Sequence, residues 1–386
     1  MIPYGKQNIS EEDIDAVVKV LRSDYLTQGP VVPIFERCVA DFCGTNYAIA
    51  TNSATAALHV ACLALGVGPG DSVWTSPNTF VASANCALYC GASVDFVDID
   101  PQTYNMSTER LAEKLAIAKV KGTLPKVVIP VHLCGQSCDM SAIHALSQEY
   151  NFKIIEDASH AIGGKYKKHA VGSCRFSDIT VFSFHPVKII TTGEGGMALT
   201  NDTVLADSMQ RFRSHGITSN REQMQPRPVN EIWNYQQICL GYNYRITEIQ
   251  AALGLSQMSR LNEFVTKRHE IAARYDVAFN GLPVITPWQH PDCRSSYHLY
   301  PIRVRQSRRD KSQRHVYEEL LSAGINVNLH YIPVYRQPYY EQLGFEVGYC
   351  PQAESYYSEA ISLPIYFSLS NEEQDQVINS IVNAIV

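Results

Sequence analysis

Lys153-Ile154-Ile155-Glu156-Asp157-Ala158-Ser159-His160 is a short apolar run that ends in two acids and, three residues past Asp157, a histidine. An apolar run of this length predicts a buried strand, and similar runs stand at Ala48–Ala50, Ser72–Thr75, Ser93–Val97, Lys126–Val131 and Ile179–Ser183. Between them Ala54–Leu65, Ala82–Tyr89 and Met140–Tyr150 read as helices. Alternation of this kind from Asn46 to Asn201 is the pattern of βαβ units feeding a mainly parallel sheet, which sets the fold class as α/β. Gly66, Gly68 and Gly70, with Pro69 among them, stop the first helix and turn the chain toward the next strand.

Beyond this core the pattern changes. Residues 205–235 are polar and turn-prone, and Ile246–Glu270 reads as one long helix able to carry the chain into another domain. Tyr297–Val304 then predicts a strand, Gln313–Ala323 a helix, Ile325–His330 a strand and Glu372–Ile385 a closing helix, an α+β layout. A chain of 386 residues exceeds the size at which one hydrophobic core stops growing. The expected division is a large domain over 13–248 and a smaller α+β domain over 249–386 that also takes in residues 1–12.

Composition narrows the partners. An apolar fraction of 45%, a charged fraction of 18% and a net charge of -6 belong to a globular protein with no general attraction to nucleic acid or anionic membrane. No apolar run approaches the roughly 18 residues of a membrane span, and Met1–Ser10 lacks the basic-then-apolar layout of a signal peptide. The expectation is a cytoplasmic protein acting on a small molecule. Eleven cysteines is an odd number. Cys38, Cys43, Cys62, Cys86, Cys90 and Cys239 stand in apolar or helical contexts that suit packed, reduced thiols. Cys134 and Cys138 are four apart, but no second pair stands at zinc spacing, so no metal is expected.

Ligands of open α/β sheets collect at the carboxyl ends of strands, and four segments qualify. In Asn52-Ser53-Ala54-Thr55-Ala56-Ala57-Leu58-His59 a strand gives way to a helix whose free amides and positive dipole end suit a phosphate, with Ser53 or Thr55 adding a hydroxyl. An ordinary N-cap by Asn52 or Ser53 accounts for the same residues. In the second segment Asp157 suits the protonated ring nitrogen of a cofactor and His160 another ring substituent, or they are a capping acid and a surface histidine. In the third, Val181-Phe182-Ser183-Phe184-His185-Pro186-Val187-Lys188 leads into Thr191-Thr192-Gly193-Glu194-Gly195-Gly196. Lys188 either sits desolvated, with a lowered pKa and a nucleophilic amine, or lies on solvated surface; the glycines also suit a plain turn. The fourth, Gly241-Tyr242-Asn243-Tyr244-Arg245, fits an anion site or core tyrosines around a cap. Together the four supply a phosphate cradle, an acid for a pyridine nitrogen, an amine and anion donors, the groups a pyridoxal-phosphate enzyme requires.

These segments, together with Leu26-Thr27-Gln28-Gly29-Pro30 and Asn78-Thr79-Phe80-Val81-Ala82-Ser83, resemble the DegT/StrS-type sugar aminotransferases over nearly the whole chain. The resemblance implies the fold of a fold-type-I pyridoxal-phosphate transferase, a large mainly parallel sheet sandwiched by helices. It implies that Lys188 carries the cofactor as a Schiff base and then shuttles the proton, that Asp157 pairs with the ring nitrogen and that His160 pairs with the ring hydroxyl. Ser183, Ala54 and Thr55 would bind the phosphate, Phe80 would stack on the ring, and Asn243 would reach a phosphate across a homodimer interface with shared active sites. Val187 departs mildly from the family pattern, in which a small or polar residue is frequent.

Within the family, Ile2-Pro3-Tyr4-Gly5-Lys6-Gln7, Tyr297-His298-Leu299-Tyr300-Pro301 and Val327-Asn328-Leu329-His330-Tyr331-Ile332-Pro333-Val334-Tyr335 look most like the transaminases of pseudaminic acid biosynthesis. That implies amino transfer from L-glutamate to C4 of a UDP-linked 4-keto-6-deoxy-N-acetylhexosamine by a ping-pong route. Tyr4, Lys6, Thr27, His330 and Tyr331 are the candidates for holding the sugar, since they lie in motifs outside the cofactor set. Other readings are a transaminase for a perosamine or 4-amino-arabinose precursor and a non-catalytic regulator that keeps the fold. A dehydratase is disfavoured because such relatives tend to replace the lysine by histidine.

Overall fold

A computed structural model describes residues 1–226, 231–304 and 312–385. Its centre is a seven-stranded sheet whose strands, in chain order, are β1 (Tyr47–Thr51), β2 (Ser72–Thr75), β3 (Ser93–Phe96), β4 (Val127–Ile129), β5 (Lys153–Asp157), β6 (Ile179–Ser183) and β7 (Gly196–Thr200). Across the sheet they run β1-β7-β6-β5-β4-β2-β3. Only β7 opposes its neighbours, pairing antiparallel with β1 and β6; the other pairings are parallel.

The strands read as continuous apolar runs because helices cover both faces. Every residue of β6 and β7 is buried. The side chains nevertheless divide with the two-residue period of a strand: Ile49, Val181 and Ala198 join one core cluster, while Ala48, Ala50, Phe182, Met197 and Leu199 join another on the opposite face. Each large side chain so buried contributes about 1.5–3 kcal/mol relative to exposure.

A second core forms around an antiparallel sheet of Val284–Ile285, Tyr300–Val304 and Ala360–Leu363, against which the helices Gln313–Ser322 and Asn371–Ile385 pack through Val316, Leu320, Val377 and Ile381. Ile2–Pro3 pairs in parallel with Ile325–Asn326, so the chain start lies beside this sheet.

Several sequence expectations are corrected. The start of the segment 205–235 is not turn-prone but belongs to the helix Thr203–Arg213, capped by the Asp202 side chain on the Val204 and Leu205 amides; its inward face is little more than Ala206 and Met209, which hides it in a polar stretch. Of the segment 205–235, residues 227–230 lie outside the described residues. The long helix expected over Ile246–Glu270 is two, Glu248–Met258 and Leu261–Ala278. It starts at a capping box of Thr247 and Gln250, and it breaks where the Ser259 and Arg260 amides turn back to the Ser256 and Gln257 carbonyls three residues earlier. The strand expected over Ile325–His330 ends at Asn326, and His330 instead belongs to a loop facing the sheet edge.

Candidate active site

The parallel strands deliver their carboxyl ends to one edge of the sheet, where a cavity of ≈ 950 Å³ opens. Asp157 ends β5, Ser183 ends β6, and Thr55 opens the helix Ala54–Ala64 that follows β1; all three line this cavity. Their convergence follows from the topology, because strands distant in sequence are neighbours in the sheet.

Ser53 caps that helix, its hydroxyl accepting from the Ala56 amide at 3.1 Å. The cap satisfies one of the amides that lack an intrahelical partner, and Ala54 and Thr55 stand at the same end against the cavity. Cap and anion cradle are therefore compatible readings. Gly196 lets β7 pass directly beneath this turn, for a Cβ there would meet the Ala54 amide nitrogen at 2.5 Å.

Asp157 is 4% exposed. Its Oδ1 accepts from the Ser159 hydroxyl at 2.6 Å and amide at 3.1 Å, and its Oδ2 accepts from the Ser83 hydroxyl at 2.5 Å. A carboxylate offers about four acceptor positions, so one remains on Oδ2. Lys188 arrives from the loop between β6 and β7, which closes on itself through Phe184 N to Gly195 O, Thr192 N to Phe184 O and Lys188 N to His185 O. Burial lowers the Lys188 amine to about 8, against the opposing pull of Asp157.

Three histidines surround the lysine. Burial holds His160 and His298 well below the ordinary range, and the neighbouring charge of Lys188 adds to both effects. Burial, again with Lys188, lowers His330 to about 3. His160 is thus neutral, and because its Nδ1 accepts from the Cys134 amide at 3.3 Å, its proton sits on Nε2. That proton points to the Tyr331 hydroxyl 3.1 Å away, leaving the phenol's own proton available as a donor. The His330 Nδ1 is tied to Ser362 at 2.9 Å, and its ring lies 5.2 Å from that of Tyr4.

Of the residues singled out from sequence, Ala54, Thr55, Phe80, Asp157, His160, Ser183, Lys188, Tyr4, His330 and Tyr331 line the cavity. Three do not. Lys6 lines a small crevice on another side of Lys188, Thr27 is exposed outside the cavity, and Asn243 is exposed, joined to the site only through its carbonyl and the Asn52 side chain. Arg245 opens instead onto a separate hollow with Glu36 and Arg213. His298 and Ser83 are not foreseen from sequence, although both stand in segments that carry the resemblance: neither residue type announces a role until its neighbours are known. Among the described residues no three His, Cys, Asp or Glu side chains are placed to hold a metal ion, and no helix is long and apolar enough to cross a membrane. The cysteines are free thiols.

The model of the DegT/DnrJ/EryC1/StrS aminotransferase family matches residues 7–382. The spore coat polysaccharide biosynthesis protein SpsC of Bacillus subtilis is 40% identical, over 98% of this chain and 96% of its own length. The UDP-4-amino-4,6-dideoxy-N-acetyl-beta-L-altrosamine transaminase of Campylobacter jejuni is 38% identical over 95% and 93%. Among solved structures, Helicobacter pylori PseC, an aminotransferase of pseudoaminic acid biosynthesis, superposes with a TM-score of 0.90 at 32% identity, covering 100% of this chain and 99% of its own. The residues here fit the family's cofactor: a buried amine near neutrality, a carboxylate with one acceptor position left beside it, and a helix N-terminus brought within reach by Gly196. The chain belongs to the DegT/DnrJ/EryC1/StrS family and is a pyridoxal-phosphate-dependent sugar aminotransferase.

Proposed function

We propose that this enzyme transfers the amino group of L-glutamate to C4 of a UDP-linked 4-keto-6-deoxy-N-acetylhexosamine, acting as a cytoplasmic homodimer. The observation that carries the site assignment is that Lys188 and Asp157 line one large cavity within reach of each other's charge, the amine lowered to about 8. The substrate rests on likeness to the altrosamine transaminase and to PseC.

When bound, pyridoxal phosphate supplies an electron sink for charge developing at the donor's α-carbon. Asp157 would hold the ring nitrogen through the acceptor position left on Oδ2, and the Ala54–Thr55 turn with Ser183 would hold the phosphate. Phe80, which lines the cavity, would stack on the ring, and Asn243, exposed here, would serve the site of a partner subunit. Lys188 in its neutral form takes the proton from the donor's α-carbon and later returns one to C4 of the sugar. With Nδ1 on the Cys134 amide and Nε2 on Tyr331, His160 keeps no nitrogen for the ring hydroxyl expected of it; it supplies Tyr331 with a hydrogen bond instead, and Tyr331 donates a hydrogen bond to a sugar oxygen, while Tyr4 and His330 close the same wall. Donor and acceptor use one cavity in turn, so initial-rate plots at several fixed glutamate concentrations should be parallel.

Cofactor uptake by the cofactor-free protein is expected to quicken as pH rises through about 8 and to level off above it, because only the unprotonated amine reacts. Stopped-flow absorbance against pH measures this, and a rate independent of pH across that range would contradict a lowered lysine.

A second reading, a transaminase for another nucleotide 4-keto-sugar, is favoured by the 34% identity, over 100% of this chain, to the GDP-perosamine synthase of Caulobacter vibrioides. Incubation with L-glutamate and a panel of UDP-, GDP- and dTDP-linked 4-keto-sugars, with products identified by mass spectrometry and NMR, separates the two. Conversion of the UDP-N-acetyl sugar in preference to the others supports the first; preference for a sugar without the acetamido group supports the second.

A further inference from the structure

Asp157 is held by more than its own strand. Ser159, two residues on, holds Oδ1 twice; the last torsion of an aspartate is a broad sp³–sp² rotor that moves both carboxylate oxygens together, so an anchor on Oδ2 restrains the same rotation from the other side. Oδ2 is fixed from outside the segment by Ser83, a residue with no exposed surface on the helix Ala82–Tyr89. Ser83 has one hydroxyl proton, and the 2.5 Å contact to the carboxylate takes it in preference to the 3.4 Å approach to the Phe80 carbonyl. Ser83 therefore accepts at the 2.6 Å contact with the Thr79 hydroxyl, and Thr79 is the donor. The chain of donors runs Thr79 to Ser83 to Asp157.

Phe80 lies between the two hydroxyl residues, 60% exposed at the cavity, and the Ser83 amide bonds its carbonyl at 3.3 Å. The turn that carries the aromatic ring and the acid at the end of β5 are thus joined by a directed hydrogen-bond chain between elements far apart in sequence.

We propose that Ser83, oriented by Thr79, is a positioning residue of the aminotransferase site: it pins the Asp157 carboxylate so that the one acceptor position left on Oδ2 faces the cavity, and it holds the Phe80 turn in register with that acid. This rests on the roles proposed above for Asp157 and Phe80. A ring lying in the cavity is then aligned by two elements tied to each other, not by two independent walls. Loss of Ser83 leaves the carboxylate anchored at Oδ1 alone, its plane less restrained, and the position through which Oδ2 would accept from a ring N–H loses its direction.

The test uses the full-length enzyme and its Ser83→Ala, Thr79→Val and double variants, with Asp157→Asn as reference. For each, kcat and KM for L-glutamate are measured together with the cofactor dissociation constant, from fluorescence titration of the cofactor-free protein, and its thermal unfolding without cofactor. Ser83→Ala is expected to lower kcat and weaken cofactor binding each by about tenfold, the scale of one hydrogen bond to a charged group, with KM within about twofold. Thr79→Val should give a smaller loss, and the double variant should match Ser83→Ala, because the two act through one chain. Unchanged kcat and cofactor affinity in Ser83→Ala, with or without a shift in unfolding temperature, would overturn the proposal, and so would additive losses in the double variant. If Asp157→Asn is itself without effect, the site assignment falls and this inference with it; if Asp157→Asn is impaired and Ser83→Ala is not, only this inference falls.

Discussion

Lys188→Ala is expected to reduce amino transfer by roughly ten-thousandfold or more. The substitution removes both the nucleophile and the proton carrier, and positioned proton transfer alone is typically worth about 10²–10⁴. Lys188 is the one lysine among the described residues that lines the cavity, so no other side chain there supplies an amine. Of the three neutral histidines near it, His160 Nδ1 already accepts from the Cys134 amide and His330 Nδ1 is tied to Ser362, and an imidazole cannot replace the amine as nucleophile toward the cofactor. The lysine lies on a loop held by its own backbone hydrogen bonds, so the variant should fold and the cavity should persist. Steady-state assays with L-glutamate, beside circular dichroism of the variant, give the answer. Near-normal turnover in a folded variant would remove Lys188 from the chemistry.

Asp157→Asn is the second large effect. The amide keeps the size of the side chain but presents an NH₂ where the carboxylate accepted, and it can no longer favour a protonated ring nitrogen. Ser83 and Ser159 donate three hydrogen bonds to the native carboxylate, and an amide oxygen cannot accept all three, so the side chain also loses its fixed orientation. The expected outcome is a fall in kcat of roughly 10²–10³, the scale of removing one directed electrostatic contact in an enzyme site, with cofactor still bound. Equal rates for wild type and variant at saturating cofactor would reject the role. A variant that binds no cofactor would show instead that Asp157 acts first in holding it.

The sheet was legible in the sequence because its strands are buried on both faces. A continuous apolar run as short as Ile179–Ser183 suits a buried strand far better than a helix, and the helix Ala82–Tyr89 was readable to its ends. Where the signal depended on packing, it failed. The helix Thr203–Arg213 buries so little that its polar face dominates the composition, and the break at Ser259–Arg260 is a local change in hydrogen bonding that no proline or glycine announces. Lys6 shares a motif with the cavity residue Tyr4 but faces elsewhere, since neighbours in sequence need not share a direction in space, and the segment around Thr27 lies wholly outside the cavity.

The sequence by itself determined the α/β class, the order of strands and helices in the core, and the chemical types at the strand ends, because hydrophobic periodicity and turn residues are local properties of a chain. Tertiary structure alone decided that β5 and β6 lie side by side while β7 runs against them, which brings Asp157 and Lys188 to one cavity. It also decided the protonation of the site: the lowered Lys188 and the neutral histidines follow from burial and from one another's charge. Likewise, the bond from Ser83 to Asp157 spans residues 74 apart. Burial and through-space charge depend on the positions of groups distant in sequence, and those positions exist only once the sheet has formed.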